Sequence, residues 1–239
     1  MPNHIPGAEE LPDEELPPVR EYPDDAWALL SPQLTDARRL RMEQVARART
    51  RHIRLVLQDI HQPHNVSAAL RSAEAFGVLC TDVVTLREAF RPSTVARGVH
   101  HWLELTRHRS VATCASALKA QGYRLATALP RPDALALDQL PLDQPLAVVF
   151  GNEHAGVDPA WDPHIDYRFT IPMVGMVESL NISVAAAVSL YQLTQRARMN
   201  LGEQKYYLNP VDLRRLLNRW ICEQTPAWEE TLKRLRPQL

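Results

Sequence analysis

Residues 146–157 read LAVVFGNEHAGV, a run of five apolar residues followed at once by a loop that contains Gly151 and Gly156. An uninterrupted apolar run of this length is typical of a strand that is buried on both faces, as in a parallel sheet. Loops that directly follow such strands are where α/β proteins place their ligands. The stretch therefore predicts a fold class and the edge of the sheet at which to look for a site.

Short β-type runs alternate with helical patterns on both sides of this stretch. The β-type runs are IRLVL (53–57), DVVTL (82–86), YRLATAL (123–129) and RFTI (168–171), and the helical patterns cover about 65–76, 93–105, 111–120 and 179–198. This alternation predicts an α/β fold with a mainly parallel sheet and helices on both faces. The helix over 179–198 is apolar on nearly every side, so we expect it to be internal or at a subunit interface. Asn209-Pro210 begins a final helical pair that Pro226 interrupts.

The composition indicates a globular protein without a membrane span or a secretion signal. Hydrophobic residues make up 45% of the 239 residues and charged residues 23%, which is enough for one substantial core. Apolar stretches fall short of the roughly 20 residues that a membrane span needs, and the N-terminus lacks the features of a signal peptide. Cys80, Cys114 and Cys222 form no C-x-x-C pair. Their spacing predicts no metal site and no disulfide framework, and it fits a cytoplasmic, reducing location.

The net charge of −1 is the sum of two oppositely charged regions. Residues 1–30 contain six prolines, eight acidic residues and one arginine, which predicts an acidic, disordered extension with a charge of −7. The other 209 residues carry a net charge of +6. The extension could be a solubilising segment alone, or it could screen or compete for the arginines that follow it, because the opposite charges lie close along the chain.

The densest basic stretch predicts a basic N-terminal helix within residues 31–52, with Thr35 or Asp36 as its cap. Seven arginines lie between Asp36 and Arg54: Arg38, Arg39, Arg41, Arg47, Arg49, Arg51 and Arg54. A solvated surface helix would explain them, but the choice of arginine and the scarcity of nearby acids favour contact with phosphates. Arginine is also the usual base of this chain, which contains only three lysines, so part of the enrichment is a general bias.

Three loops after predicted strands carry polar side chains suited to binding or catalysis. One contains His61, His64 and Asn65 and leads into a helix with Arg71; the second contains Glu153; the third, PMVGMVESLN, covers 172–181. None of the glycines forms the patterns of a dinucleotide or P-loop site, which removes the main support for a kinase, a GTPase or an ordinary dehydrogenase. Pro63 between the two histidines and the lack of nearby acidic or cysteine ligands argue against a metal there.

Each of these residues also has a purely structural interpretation. The methionines of the third loop could hold a flat, partly apolar ligand or could merely fill gaps in the packing. Ser179 and Asn181 could do no more than cap the long helix. Glu153 could be a turn residue, and Arg71 could be a surface ion-pair partner.

Taken together, HQPHNVSAALRSAEAFG (61–77), VVFGNEHAGV (148–157) and IPMVGMVESLNISVAAAV (171–188) resemble the three motifs of the SpoU branch of the SPOUT superfamily of RNA 2'-O-methyltransferases. Within that branch, the H-x-P-H-N opening, HHW (100–102) and IPM-x-GMV are most similar to the TrmH subfamily of tRNA (guanosine-2'-O-)-methyltransferases. The resemblance covers about 36–220. Three motifs in order and at the family's spacing are far more specific than any one of them.

The resemblance implies a fold and an activity that the pattern of elements alone does not. Residues 53–200 would form the methyltransferase domain, whose C-terminal part is tied in a deep trefoil knot, and residues 201–239 would form C-terminal helices. The enzyme would be a homodimer that transfers a methyl group from S-adenosyl-methionine to the D-loop guanosine at tRNA position 18. Ribosomal RNA or the tRNA wobble nucleotide is an alternative substrate, and a non-catalytic RNA-binding protein with the same fold is an alternative of another class.

The resemblance also assigns roles to residues. Those that match the catalytic centre are Asn65, Arg71, Glu153, Ser179 and Asn181, and those that would contact the methyl donor, largely through the backbone, are Thr127, Gly151, Ile171, Met176 and Leu180. Arg38, Arg39 and Arg41 correspond to arginines that would bind tRNA phosphates. Because a guanidinium is always protonated in proteins, we expect Arg71 to anchor an RNA phosphate and to lower the pKa of the ribose hydroxyl, rather than to accept its proton.

Overall fold

The computed structural model describes residues 21–86, 98–129, 131 and 133–236. Its strands are β1 (Ile53–Gln58), β2 (Cys80–Val84), β3 (Glu104–His108), β4 (Arg124–Ala128), β5 (Leu135–Ala136), β6 (Leu146–Phe150) and β7 (Tyr167–Thr170). They form one sheet in the order β3-β2-β1-β6-β4-β7-β5, in which every pair is parallel. The predicted α/β class with a parallel sheet is confirmed.

Eight helices accompany the sheet in the described part of the chain. They are α1 (Ala26–Leu30), α2 (Asp36–Arg47), α3 (Pro63–Ala75), α4 (Val111–Ala120), α5 (Ile182–Leu201), α6 (Glu203–Tyr206), α7 (Pro210–Gln224) and α8 (Trp228–Leu235). None of the helices in this part is long and apolar enough to cross a bilayer. The predicted helix over 93–105 is wrong as an α-helix where it can be compared, because His100–Trp102 form a single 3-10 turn and Glu104–His108 is an edge strand. Residues 87–97 lie outside the described residues.

The core has two layers because successive side chains of the central strands point to opposite faces. On one face, Leu55 of β1 and Val148 of β6 pack in a cluster with Leu70 of α3 and Leu190 of α5. On the other face, Val56, Ala147 and Val149 pack with Cys114 and Leu118 of α4. Each large apolar side chain buried in this way stabilises the fold by about 1.5–3 kcal/mol relative to an exposed one.

Helices α1, α2, α7 and α8 form a terminal helix cluster, in which both ends of the described chain are fastened. The side-chain amide of Asn218, on α7, accepts a hydrogen bond from the Trp27 backbone N–H (2.8 Å) and donates one to the Asp24 carbonyl (3.1 Å). Arg236 donates two hydrogen bonds, of 2.9 and 2.7 Å, to the Asp25 carboxylate. These pairs fix α1 against helices that lie almost two hundred residues later in the chain.

The terminal helix cluster corrects the predicted extent of the acidic extension. Residues 26–30 were expected to be disordered, but they form α1, and Ala26 and Leu30 are buried against Ile221 and Leu232. The apolar residues of this short segment find a partner surface on α7 and α8, which the local composition does not reveal. Of the rest of the predicted extension, residues 21–25 are described without a helix or strand, and residues 1–20 lie outside the described residues.

The arginine-rich stretch divides into an outer and an inner group. Thr35 caps α2 as predicted, by accepting the Arg38 backbone N–H, and Arg38, Arg41 and Arg47 are exposed. Arg49 is fully buried and pairs with Glu74 at 2.6 Å. Arg51 and Arg54 also turn inward, toward Glu104 and Asp82 respectively. The inner three arginines stabilise the fold, so the helix that could face phosphates is shorter than the stretch of arginines.

Candidate active site

The loops singled out by their position after strands meet at one edge of the sheet. Parallel pairing places the carboxyl ends of β1, β6, β4 and β7, in that order, side by side. The loop from β1 into α3 brings Asn65, and the loop after β6 brings Glu153. A site at the carboxyl edge of a parallel sheet is the usual position in α/β proteins.

Glu153 is the acceptor at the centre of a hydrogen-bonded cluster. Its carboxylate accepts the Asn65 side-chain amide (2.8 Å), the His61 backbone N–H (3.0 Å) and the Gln62 backbone N–H (3.3 Å). Partial burial acts to raise its pKa, but the hydrogen bonds from Asn65 and from these backbone groups outweigh that effect, and the pKa of Glu153 lies below its ordinary value. Glu153 is therefore an ionised anchor for the start of α3, and not a turn residue alone.

Asn181 joins the third loop to this cluster. Its side-chain amide donates to the Asn65 side-chain oxygen at 3.3 Å, while its own oxygen accepts the Ser183 backbone N–H at 2.9 Å. The structure thus confirms that Asn181 caps α5, and it adds a contact that capping does not require. Asn65 is buried, with 3% of its surface exposed, so its orientation is fixed from both sides, by Glu153 and by Asn181.

Two residues that sequence reasoning missed hold the Glu153 loop in place. The Asn152 side-chain amide donates to the Asp59 carbonyl at 2.7 Å, and its oxygen accepts the backbone N–H groups of His154 and Ala155. Asp59 is buried with a positive φ of 47°, and its carboxylate accepts the Leu86 backbone N–H at 2.7 Å. Asp and Asn tolerate this backbone conformation better than most residues, and that is the only sequence signal that could have pointed to Asp59.

The predicted glycine at the end of β6 is required by a close backbone approach. A Cβ atom on Gly151 would lie 2.2 Å from the Gly156 carbonyl oxygen, so no other residue fits without a shift of the backbone. Asn152 and Gly156 exchange two backbone hydrogen bonds, of 2.8 and 2.9 Å, across the same turn.

The residues predicted to contact a methyl donor fall into two groups. Thr127, Gly151 and Ile171 lie at or just after the carboxyl ends of β4, β6 and β7, which are neighbours in the sheet. Met176 is fully exposed at 100%, and Leu180 is half-buried. The structure brings the first group together, whereas the loop that carries Met176 extends into solvent.

Ser179 and Arg71 lie apart from the Glu153 cluster in different ways. Ser179 is exposed in the same loop as Met176. Arg71 is on the exposed face of α3, whereas Asn65 is on the buried face of that helix. Of the five predicted catalytic residues, the hydrogen bonds described above join Asn65, Glu153 and Asn181.

The three predicted RNA-binding arginines differ in how they are held. Arg38 donates to the Gln224 side chain at 3.2 Å, and its guanidinium lies 5.5 Å from the centre of the Trp102 ring. Arg39 pairs with Asp36 at 2.9 Å, one turn away on α2. Arg41 is exposed and makes no ion pair with another residue in the described ranges. All three belong to α2, which lies outside the sheet.

A group of potential metal ligands occurs elsewhere, on the face of the sheet that α4 covers. Asp82, His108 and Cys114 are the one such cluster among the residues that the structure describes. The Arg54 guanidinium contacts both carboxylate oxygens of Asp82, and His108 contacts the same carboxylate at 2.7 Å. A positive charge already compensates Asp82, which opposes the binding of a cation.

The cysteines do not supply a nucleophile. All three are free and buried. Burial, together with the neighbouring Glu104 carboxylate, raises the pKa of the Cys80 thiol to about 12, and burial likewise raises the pKa of Cys114. Because the thiolate is the reactive form, both thiols are inert at neutral pH.

Comparison with known proteins places this geometry in a family. The family model described as "SpoU rRNA Methylase family" matches residues 52–191. A tRNA (guanosine(18)-2'-O)-methyltransferase of Thermus thermophilus is 35% identical over 189 residues, which cover 78% of this chain and 97% of that protein.

Solved structures agree with this placement. The TrmH/SpoU tRNA modifying enzyme of A. aeolicus superposes with a TM-score of 0.70 at 25% identity, over 80% of this chain and 98% of that one. The SpoU methyltransferase AviRb of Streptomyces viridochromogenes, in complex with its cofactor AdoMet, gives a TM-score of 0.56 at 25% identity, over 62% and 61% of the two chains.

Proposed function

The chain belongs to the SpoU rRNA Methylase family, and we propose that it is an S-adenosyl-methionine-dependent methyltransferase that acts on the ribose 2'-hydroxyl of guanosine 18 in tRNA. The observation that carries the proposal is the cluster of Asn65, Glu153 and Asn181, one residue from each of the three motifs, at the carboxyl edge of the sheet. Direct hydrogen bonds there join side chains that are 88 and 116 positions apart in sequence.

The strand ends beside this cluster suit the methyl donor. Gly151 and Ile171 flank the end of β4, where Thr127 is buried and donates its hydroxyl to the Val149 carbonyl at 3.3 Å. The ends of these strands offer backbone N–H and C=O groups that could bind an adenine ring. When bound, S-adenosyl-methionine supplies an electrophilic methyl group, and Met176 and Leu180 would close over it from the exposed loop.

A ribose hydroxyl is a weak nucleophile at neutral pH, so the protein must stabilise the negative charge that develops on its oxygen. Arg71 is the group that we assign to this role. Its exposed position on α3 leaves it accessible to an RNA phosphate. A bound phosphate would hold the ribose beside the guanidinium, which lowers the pKa of the hydroxyl, and the phosphate or a water molecule would take the proton.

The other members of the proposed catalytic centre position the reacting groups. Glu153 keeps the first turn of α3 in place through Asn65 and two backbone N–H groups, and the same helix carries Arg71 five residues beyond Val66. Asn181 ties the start of α5 to Asn65. Ser179 would contact the RNA phosphate once the exposed loop is ordered by its ligands.

We propose further that the enzyme is a homodimer, because a stripe of apolar residues is exposed next to the site. Val184, Val188 and Tyr191 lie on one face of α5 and are 46%, 38% and 53% exposed, while Ala186, Leu190 and Leu193 of the same helix are buried in the core. Val174, Met176 and Val177 in the adjoining loop are exposed as well. A second copy would cover this surface and order the loop.

The path of the chain supports the trefoil knot that the resemblance implies. Strand β6 lies between β1 and β4, and β7 lies beyond β4, yet α5 returns to pack on α3 beside β1. On that path the Arg196 side chain of α5 donates to the carbonyls of Leu137 and Leu140, at 3.0 and 2.9 Å. These carbonyls belong to the connection between β5 and β6, the loop through which we propose that the chain passes.

The tRNA would be held by the exposed arginines of α2. Arg38 is preordered by Gln224 and Trp102, so little side-chain freedom would be lost when it binds a phosphate. Arg39 and Arg41 complete a basic surface on the same helix. The buried free cysteines fit the cytoplasmic location that a tRNA substrate requires.

The test is incubation of the purified protein with labelled S-adenosyl-methionine and either total tRNA or total ribosomal RNA, followed by nucleoside analysis and mapping of the methylated position. We expect 2'-O-methylguanosine at position 18 of tRNA. Methylation of ribosomal RNA or of the tRNA wobble nucleotide would change the assigned substrate but leave the assigned reaction, ribose 2'-O-methylation, unchanged. RNA binding without methyl transfer would favour a non-catalytic RNA-binding protein.

A further inference from the structure

The exposed side of α2 is a basic surface with an apolar residue at its centre. Arg41 and Arg47 are exposed on either side of Leu40, which is 53% exposed, and Arg38 is exposed at the edge of this surface, next to α7. Arg41 and Arg47 make no ion pair with any other residue in the described part of the chain. The opposite side of the helix is covered, because Met42 and Ala46 pack against Leu216 and Trp220 of α7.

The segment that precedes the described residues has the complementary chemistry. Residues 1–20 contain five acidic residues, all within EELPDEE at 9–15, and one arginine. Leu11 and Leu16 lie within or beside this acidic run. Acidic side chains with an interspersed leucine match a surface that consists of arginines around Leu40.

The point at which this segment is attached lies next to the basic surface. Tyr22 donates its hydroxyl to the Glu223 carboxylate at 2.9 Å, and Arg38 donates to the side chain of Gln224, the adjacent residue of α7, at 3.2 Å. The contacts of Asn218 and Arg236 with residues 24–27 hold this attachment point against the terminal helix cluster.

The lengths are compatible with docking. The acidic run begins twelve residues before Glu21 and ends six residues before it, so it can reach about 20–40 Å from the attachment point when extended. Helix α2 has 12 residues and is therefore about 18 Å long. Every arginine of the helix is within reach.

We propose that residues 9–16 of this chain bind across the exposed side of α2, with their carboxylates on Arg38, Arg41 and Arg47 and a leucine against Leu40. The proposal rests on the proposed function in one respect only: if these arginines bind RNA phosphates, the segment occupies their surface and competes with RNA. A tethered segment competes at a high effective concentration, so an RNA must displace it in order to bind α2. RNAs that bind weakly are therefore excluded more strongly than RNAs that bind tightly.

The first experiment measures tRNA affinity in three full-length or nearly full-length forms. These are the natural chain, a variant that lacks residues 2–20, and a variant with Glu9→Gln, Glu10→Gln, Asp13→Asn, Glu14→Gln and Glu15→Gln. We expect both variants to bind tRNA about 3- to 10-fold more tightly than the natural chain at 50 mM salt. The difference should vanish near 300 mM salt, because the contacts are electrostatic.

The matched control tests whether α2 is the surface involved. In an Arg38→Ala, Arg41→Ala, Arg47→Ala background, removal of residues 2–20 should leave the remaining affinity unchanged. An equal gain in affinity with and without the three arginines would overturn the proposal, and so would equal affinity of the natural and neutralised chains at low salt.

The second experiment needs neither RNA nor activity. Leu16→p-benzoylphenylalanine in the full chain is irradiated, and the cross-linked peptides are identified. A cross-link within one chain to residues 36–47 is expected. A cross-link to any other surface, or to α2 of a second copy, would overturn the proposal. If the protein methylates no RNA, this result still stands; if it methylates tRNA but gives no such cross-link, only the docking fails.

Discussion

The Glu153 loop and the Met176 loop lie at the same edge of the sheet but differ in how they are held. In the first, the side chains of Glu153 and Asn152 take part in six hydrogen bonds, with groups of the loop after β1, of α3 and of their own loop. In the second, Val174 and Met176 are completely exposed, and a Cβ atom on Gly175 would meet nothing within 4 Å.

The difference separates the proposed site into one part that is held by hydrogen bonds within the chain and one part that is exposed. One half of the proposed catalytic centre is preorganised by hydrogen bonds within a single chain, which is the arrangement that electrostatic catalysis requires. The other half is exposed in the single chain and would be covered by the proposed ligand or second copy. Asn181 connects the two halves.

The largest expected effect concerns Arg71, on the helix whose first turn the preorganised half holds in place. Arg71→Ala should retain donor binding and lose about 10²- to 10³-fold in single-turnover methylation, because a fixed positive charge that stabilises the transition state is lost. Arg124→Ala, at the amino end of β4 on the opposite edge of the sheet, is the control and should retain its rate. Unchanged methylation in Arg71→Ala would remove this residue from the mechanism.

The next effect concerns the exposed half. Val184→Asp combined with Val188→Asp places two charges on the exposed stripe of α5 and should convert dimers to monomers in light scattering. Surface substitutions change the free energy of unfolding by only about 0.5 kcal/mol, so the monomer should remain folded. Because the Met176 loop would then lack its cover, the monomer should bind the donor at least about tenfold more weakly. Val211→Asp, which is equally exposed on α7, should change neither property. Donor affinity that is independent of the oligomeric state would show that the loop needs no second copy.

Glu153→Gln examines the anchor of the preorganised half. The variant replaces an ionised acceptor by an amide with only one acceptor atom, and we expect it to lower the free energy of unfolding by about 1–3 kcal/mol at pH 7. Because the folded-state pKa of Glu153 is depressed, its stabilising effect is present above the unfolded-state value of about 4.3 and is lost as the pH falls through the folded-state pKa.

The difference in stability between the natural chain and Glu153→Gln should therefore shrink below about pH 4.3. Urea denaturation at several pH values measures it. Glu203→Gln, at an exposed position on α6, serves as the control. A difference that stays constant down to pH 3 would mean that the Glu153 charge does not stabilise the fold.

The smallest effect measures the link between the halves. Asn181→Ser keeps a side chain that can cap α5 but cannot reach Asn65. We expect it to lower the free energy of unfolding by about 0.5–1 kcal/mol, as measured by thermal denaturation. Asn181→Ala removes the cap as well and should cost more. Equal stabilities of the two variants would show that capping contributes little and that the contact with Asn65 is the main role of Asn181.

The central strands could be predicted from sequence because the fold buries them completely. LAVVF is apolar throughout and IRLVL is apolar apart from Arg54, and both strands are buried along their whole length. The edge strand β3, ELTRH, is half exposed and mostly polar, so it carries no such signal, and its first two residues fall within the predicted helix over 93–105. The two-residue β5 is too short to produce a pattern.

The site could be predicted only as far as its motifs extend. The resemblance selected Asn65, Glu153 and Asn181, and the structure joins them. The sequence does not show that Arg49, Arg51 and Arg54 turn inward. Their acidic partners lie 25 to 53 positions away along the chain, and they are Glu74, Glu104 and Asp82. Long-range pairing of this kind depends on the complete fold, and the same is true of the positive φ of Asp59.

The hydrogen bonds of Asn218 with Trp27 and Asp24 have a consequence for the synthesis of the protein. Trp27 and Asn218 are separated by 191 positions, and a ribosome that adds about 5–20 residues each second needs about 10–40 s to cover that distance. Throughout this interval α1 has left the ribosome while α7 and α8, the surface for Leu30 and Ala26, do not yet exist. The nascent chain thus carries an unpartnered apolar segment from the start, and the segment is covered only when the last helices emerge.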